Sequence, residues 1–595
     1  MLNRGSTLRP LLLGAALLGA AAVAGAQSSA QATPSSGGIS KPFAEGSEAL
    51  RRGDIGAARA SFEAAVHLNP HDVQARNALG LVLLAQNDAT AAAAEFKETL
   101  RIKPTFLNAR LNLCSALLQL GDFDGAMREG TAATQAAPNN PDAHVALARA
   151  LGAASKMPEA VTALKRAIAL APKRADLHDD LGTLLVQRNH LEDAIAEFRE
   201  ALRLNSQLAS AHLHLGVLEF EQRQFESAEQ HLSKANELSP GNFLTVNYLA
   251  RTYREEGKLP EAIAAFQTSL KIQPSQVDVL NLVGQSLQRI GNPVEAADAF
   301  RKLLALQPQD AEAQNNLGLA LLQTGDGEGA IAAFRAALQI RPADTGYQGN
   351  LGAAYLQKAD FAAAVAVFRA ALQQAPKNPS LHYNLGLALK LQDKLAEAVE
   401  ELRAAEALDP AQPDAPYTLG VTLWQMGELD ASVSELQKAI HAKPDYAEAY
   451  YTLGTVLKQQ AKLQESAQAL REAIRLQPDF AGAHTTLAGV LRQLGDHDGA
   501  AAESKLGTEL AKQRTDMQAA VFATNSGRRL RSVGDLNGAV SQFRAAIQAV
   551  ENYAPAHFEL AIALRQIGNR EEAAAEFQKA EALDPKLVAP QSPQP

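Results

Sequence analysis

At 595 residues the chain is several times longer than a typical single domain, so it is multi-domain or a repeat array. A net charge of −9 with 20% charged residues is modest for that length and does not fit a dedicated nucleic-acid binder. A single cysteine excludes an internal disulfide framework.

Arg4 and Arg9 precede an apolar run, Leu11 to Ala26, that is too short and too rich in Ala and Gly for a membrane span. It ends in Ala24-Gly25-Ala26, small residues at signal-peptidase spacing, so residues 1–26 read as a cleaved secretory signal. A second candidate cut follows Ala32, and an uncleaved anchor is the minor alternative. No cysteine follows the run, so the bacterial lipoprotein pattern is missing. The expectation is a periplasmic or extracellular protein with no stable membrane insertion after cleavage. Residues 27–38, rich in Ser and Gly, read as a flexible leader.

Beyond residue 39, prolines stand at 70, 104, 138, 172 and then from 240 to 478, every interval being 34 residues or twice 34, with Ser206 in the one skipped slot. Each unit repeats "xxLGxxLxxxGDxxxAxxxFxxALxxxP", as in "NNLGLALLQTGDGEGAIAAFRAALQIRP" ending at Pro342. This is the tetratricopeptide-repeat pattern, and the chain resembles that family over residues 39–587, in 16 repeats. The resemblance implies an all-α fold, an α-solenoid in which the helix-turn-helix units form a right-handed superhelix. Repeats 1–14 occupy residues 39–514 and repeats 15–16 residues 520–587, separated by a five-residue insertion at 515–519 that breaks the period. No Gly or Pro lies between Gly507 and Asn525, so the second helix of repeat 14 is expected to run on, leaving the last two repeats offset. Residues 588–595 read as a disordered tail.

With each repeat numbered 1 to 34, positions 4, 7, 8 and 11 make an i, i+3, i+4, i+7 stripe that should be buried. Position 8 is mostly Gly or Ala and position 20 is Ala or Ser, which lets the two helices approach closely. Position 24, often Phe as in Phe96, Phe198 and Phe368, supplies the large partner. Proline at position 32 ends the second helix, having no amide proton and disfavouring helical angles before it.

His144, His178, His212, His382, His484 and His557 all fall at position 4, where packing is the expectation and metal ligation is not. Tyr450 shares that position and is expected to face the core. Cys114, at position 8, reads as a small buried hydrophobe. No phosphate-binding loop, nucleophile elbow or Cys-x-x-Cys is present, so neither a catalytic site, a metal nor a cofactor is expected. The repeats are similar to those of O-linked N-acetylglucosamine transferase, but that family needs a large catalytic domain. The resemblance therefore implies the scaffold and not the activity.

Positions 2, 5, 9 and 12 form a second stripe, about 130° round the first helix. The family resemblance implies that it lines the concave groove where extended peptides bind. Position 5 holds Asn247, Asn281 and Asn315, then Tyr383, Tyr417 and Tyr451; position 6 adds Asn316, Asn350 and Asn384. Asparagine donates and accepts, so a ladder of them can satisfy a bound backbone without reading its sequence. Position 12 adds Lys390, Trp424, Lys458 and Arg492, cations beside rings that suit a peptide bearing carboxylates or a sugar chain stacked on the rings. Packing of those rings between helices is an equally weighted reading. In the first half position 12 is apolar, with Leu50, Leu84, Leu118, Val186 and Phe220, which suits a partner helix or self-association. The function expected is a non-catalytic scaffold for protein or peptide partners; a polysaccharide-binding role in export or modification is the alternative, and an enzyme related to glycosyltransferase repeat proteins a remote one.

Overall fold

The computed structural model describes residues 40–587; the expected signal, leader and tail lie outside the described residues. These residues form 31 α-helices and no strand, in two compact units divided after Pro308. Within each unit every helix packs on the next in chain order, which makes the fold an all-α array of tandem hairpins.

Sixteen hairpins would need one helix more than the described residues form. His497–Ser532, a single helix of 36 residues, runs through the insertion and serves as both the second helix of repeat 14 and the first of repeat 15. Ala500 and Gly507 bury its N-terminal part, and Ala520, Ala523, Thr524 and Gly527 its C-terminal part. The stretch between them is open to water apart from half-buried Leu510 and Asp516.

The turn inside each hairpin is made the same way throughout. The residue at position 15 has a left-handed φ in all repeats, Gly in most and Asn87, Ser155, Asn189, Arg223, Ala359, Asp393 or Ala461 in the others. Where Asp follows, it caps the second helix: the Asp326 carboxylate accepts from the Gly329 N–H and Asp360 from the Ala363 N–H. Helix and turn chemistry therefore agree locally before any packing is considered.

Packing inside the hairpin explains the small and large residues of the repeat. A Cβ on Gly352 would lie 2.3 Å from the Phe368 ring, and one on Gly318 would lie 2.6 Å from Phe334. Only glycine admits the ring that closely, and those phenylalanines are fully buried. Repeat 3 exchanges the sizes, with Cys114 at position 8 and Gly130 at position 24. Cys114 is buried, its Sγ 3.4 Å from the Ala126 carbonyl oxygen. At position 20, Ser432 and Ser466 donate to the carbonyls of Gly420 (2.7 Å) and Gly454 (2.6 Å), so the serines cost no unmet hydrogen bond.

The buried stripe of the first helix is wider than the expected one, and position 4 belongs to it in only some of the repeats, as at Val246, Leu280 and His484. Positions 7, 8 and 11 are buried, as Leu385, Gly386 and Leu389 illustrate, but the other deep positions are 3 and 10, as at Leu381 and Ala388. At position 4, His178, His484 and His557 are buried as expected, whereas His144, His212, His382 and Tyr450 remain partly exposed, so Tyr450 is not a core residue. Position 4 instead ties three pieces of chain together with polar bonds. The His382 ring lies 2.6 Å from the Glu401 carboxylate through Nδ1 and 3.1 Å from the Pro376 carbonyl through Nε2. Arg76 makes the same pair of bonds to Glu95 (2.7 Å) and Pro70 (2.7 Å), and Arg110 to Glu129 (2.7 Å) and Pro104 (2.9 Å). His212 meets His231 at 3.0 Å and the Ser206 carbonyl at 3.1 Å, so the slot without proline keeps the tie. The position-4 histidines are thus fasteners between a repeat and the turn before it. Among the described residues no group of His, Cys, Asp or Glu is placed to hold a metal.

Candidate functional site

Within each unit, first helices of several successive repeats are joined from position 5 of one to position 6 of the next. Asn112 donates to Asn77 (3.0 Å), His214 lies 2.8 Å from the Asp179 carboxylate, and Asn350 donates to Asn315 (2.8 Å). The Tyr383 hydroxyl is 3.5 Å from that of Thr418. Trp424 makes a similar bridge further along, its indole N–H donating to Gln459 at 2.7 Å.

These bridges change the reading of the asparagines. Asn247 and Asn315 are only 5% and 8% exposed, and Asn247 accepts from the Arg251 guanidinium at 2.7 Å. Asn315 is taken up across the seam by Asn350, and Asn247 within its own helix by Arg251, so neither is a free rung. Asn281, Asn316, Asn350 and Asn384 are half-buried; Asn316 and Asn350 are already engaged. The apolar position 12 of the first unit is corrected in the same way. Leu50, Leu84 and Val186 are buried, Leu118 is half-buried, and Phe220, also half-buried, packs edge-on to Tyr248 at 5.5 Å between centroids, so only Leu118 and Phe220 of this row keep exposed apolar area.

The tyrosine row is divided between packing and presentation. Tyr383, Tyr417 and Tyr451 are each half-buried. Tyr417 stacks on Tyr446 (4.9 Å) and Tyr451 on Phe480 (4.7 Å), so each leans on the residue that closes its own repeat and caps the next helix. Lys443 sits over the Tyr446 ring at 4.8 Å. Burial, with the Asp414 carboxylate next, pushes the Tyr446 phenol above its ordinary range, so it stays a neutral donor.

A cleft of about 340 Å³ opens between repeats 11 and 12. Pro379, Ser380, Tyr383 and Asn384 line one side, and Asp409, Gln412 and Asp414 come from the end of repeat 11 and the start of repeat 12. Two carboxylates and no cation line it, which suits amine, guanidinium or amide N–H groups. Position 12 has the opposite sign. Lys390 and Lys458 are half-buried and Arg492 exposed, and burial lowers the Lys390 ammonium from its usual value. The sequence reading did not single out Asp409, Asp414 or Tyr446. Tyr446 and Phe480 had a legible signal, an aromatic residue at position 34 beside the tyrosine repeats.

Burial pushes the lone Cys114 thiol up to about 12, so it holds its proton at neutral pH.

Two family models, both described as tetratricopeptide repeat, match the chain. One covers residues 43–105, 180–243, 281–345, 350–413, 451–504 and 524–587; the other covers 83–149, 117–179, 219–285 and 389–457. No curated protein matches. Among solved structures, MamA is 26% identical over 28% of this chain and 96% of its own, with a TM-score of 0.27. YrrB, titled a TPR protein with an unusual peptide-binding site, is 22% identical over 31% of this chain and 94% of its own, with a TM-score of 0.30. The APC/C hetero-tetramer Cut9–Hcn1 is 16% identical over 88% of this chain and 97% of that chain, with a TM-score of 0.32. At such scores the likenesses carry no argument about how the repeats are arranged.

Proposed function

The chain belongs to the tetratricopeptide-repeat family, and from that premise we propose that it is an exported, non-catalytic scaffold whose first-helix surface holds extended peptide or protein segments. The observation that carries this is the second-unit strip, where partly exposed tyrosines and the 340 Å³ cleft lie on helices fastened side by side. Rings there offer area, and carboxylates and amides offer partners to a bound backbone. The export part rests on the signal pattern of residues 1–26. The non-catalytic part rests on the allocation of nearly all of residues 43–587 to repeats. A sugar chain stacked on the same rings is a second reading, favoured by the spacing of Tyr383, Tyr417 and Tyr451 at intervals of 34 residues.

Binding of the purified mature chain to a library of labelled extended peptides and to acidic polysaccharides, read by fluorescence anisotropy, tests both readings. Substitution of Tyr383, Tyr417 and Trp424 by Ala is expected to weaken the preferred ligand at least about tenfold, as the loss of central aromatic anchors does. Unchanged affinity would remove the site from this surface, and binding confined to the polysaccharides would replace the peptide reading.

A further inference from the structure

The strip over repeats 11 to 14 is sorted by charge. Asp414 and Glu448 stand at position 2, and Lys390, Lys458 and Arg492 at position 12. Ten residues of helix separate those positions, about 15 Å at ~1.5 Å per residue, and both lie within an arc of about 80° that includes positions 5 and 9. The tyrosine row therefore runs between an acidic edge and a basic edge.

None of these five charges has an ion-pair partner among the described residues. Some charges elsewhere in the same unit do pair, as Lys438 with Glu406 (2.8 Å) and Arg369 with Glu397 (2.5 Å). Lys390 is the telling case, a half-buried ammonium with no carboxylate beside it. Desolvating a cation without a counter-charge is unfavourable, and a ligand that brings the carboxylate removes the penalty.

On an extended chain successive side chains point to opposite sides. We propose that the strip binds an extended peptide in which basic and acidic residues alternate, its backbone over the tyrosine row. Its basic side chains turn toward Asp414 and Glu448 and its acidic ones toward Lys390, Lys458 and Arg492. A peptide of one sign satisfies one edge and is repelled by the other. A block of bases followed by a block of acids places half of each block against the wrong edge. The inference rests on the peptide-binding reading above and adds to it the order of charges in the ligand.

Three capped twelve-residue peptides separate the outcomes: alternating Lys and Glu, the same residues as two blocks, and an uncharged Ser/Thr/Asn/Gln control. The full mature chain is expected to bind the alternating peptide about tenfold or more above the block peptide at low salt, an advantage that salt erodes. Asp414→Lys with Glu448→Lys, and separately Lys458→Glu with Arg492→Glu, should abolish the preference. Asp414→Asn with Glu448→Gln gives the same reading if a reversal disturbs folding. Equal binding of the alternating and block peptides, or a preference that survives these substitutions, overturns the charge order while the control peptide still reports the surface. Absence of binding by all three peptides overturns the peptide-binding reading itself, and this inference with it.

Discussion

Repeats 10 and 15 carry the same pattern and bury different halves of it. In repeat 10, positions 3, 7 and 10 are Tyr347, Leu351 and Ala354, all buried; in repeat 15 they are Phe522, Ser526 and Arg529, and Phe522 is 77% exposed. Tyr347 lies against Ala337, Leu338 and Ile340 of the preceding second helix. In repeat 15 the preceding second helix is the same continuous helix, which cannot fold back on itself, so that face meets water. The inside of the hairpin is unchanged. A Cβ on Gly527 would lie 2.5 Å from Phe543, much as one on Gly352 would lie 2.3 Å from Phe368. Contacts within a hairpin and contacts between hairpins are therefore separate in origin, and the sequence relaxes only the set whose partner is absent.

The largest expected effect tests the shared half. Phe368→Ala and Phe543→Ala should each cost about 3–5 kcal/mol, because both empty a fully buried site. Local hydrogen exchange is the suitable readout, since a repeat array does not unfold in one step. A large cost in repeat 10 alone would break the claim that hairpin packing is common to both.

An intermediate effect concerns a charge in a slot that is otherwise apolar. Glu219 occupies position 11 of repeat 6, is 3% exposed, and burial pushes its pKa up to about 7. The folded state thus prefers the protonated acid more than the unfolded chain does, so the contribution is fully present below about pH 4.3 and is lost as pH rises through 7. Glu219→Gln should match the parent near pH 4.5 and exceed it by roughly 1–3 kcal/mol at pH 8. Thermal melting across that range checks it, and a pH-independent difference would contradict it.

The smallest effect is the counterpart of the first. Phe522→Ser should change stability by no more than about 0.5 kcal/mol, as surface substitutions do, despite a position that is buried elsewhere. A loss of several kcal/mol would mean that something covers this face in solution.

Much of the molecule was legible in the chain itself. The 34-residue period, the small residues at positions 8 and 20 and the large one at 24 follow from a unit that must bury one face. The exchange of Cys114 for glycine opposite Gly130 could be read the same way. The position-4 ties were legible too, since Arg76, Arg110, His178 and His382 each precede a glutamate by 19 residues. The asparagines were not, because Asn247 and Asn315 share position 5 yet one accepts from Arg251 of its own helix and the other from Asn350 of the next repeat.

By itself the sequence determined the hairpin, its turn and the axis along which hairpins repeat, because local angles, caps and the size match of positions 8 and 24 act within one unit. Only the tertiary structure decided which side of the first helix is sealed. Positions 3 and 4 differ by about 100° on the same turn, and the neighbouring helix determines whether position 4 loses water along with position 3, as at Ala483 and His484, or stays partly exposed, as at His382. It also left Lys390, Asp414, Glu448, Lys458 and Arg492 without ion-pair partners among the described residues, since pairing depends on what crosses from adjacent repeats and not on the residue itself.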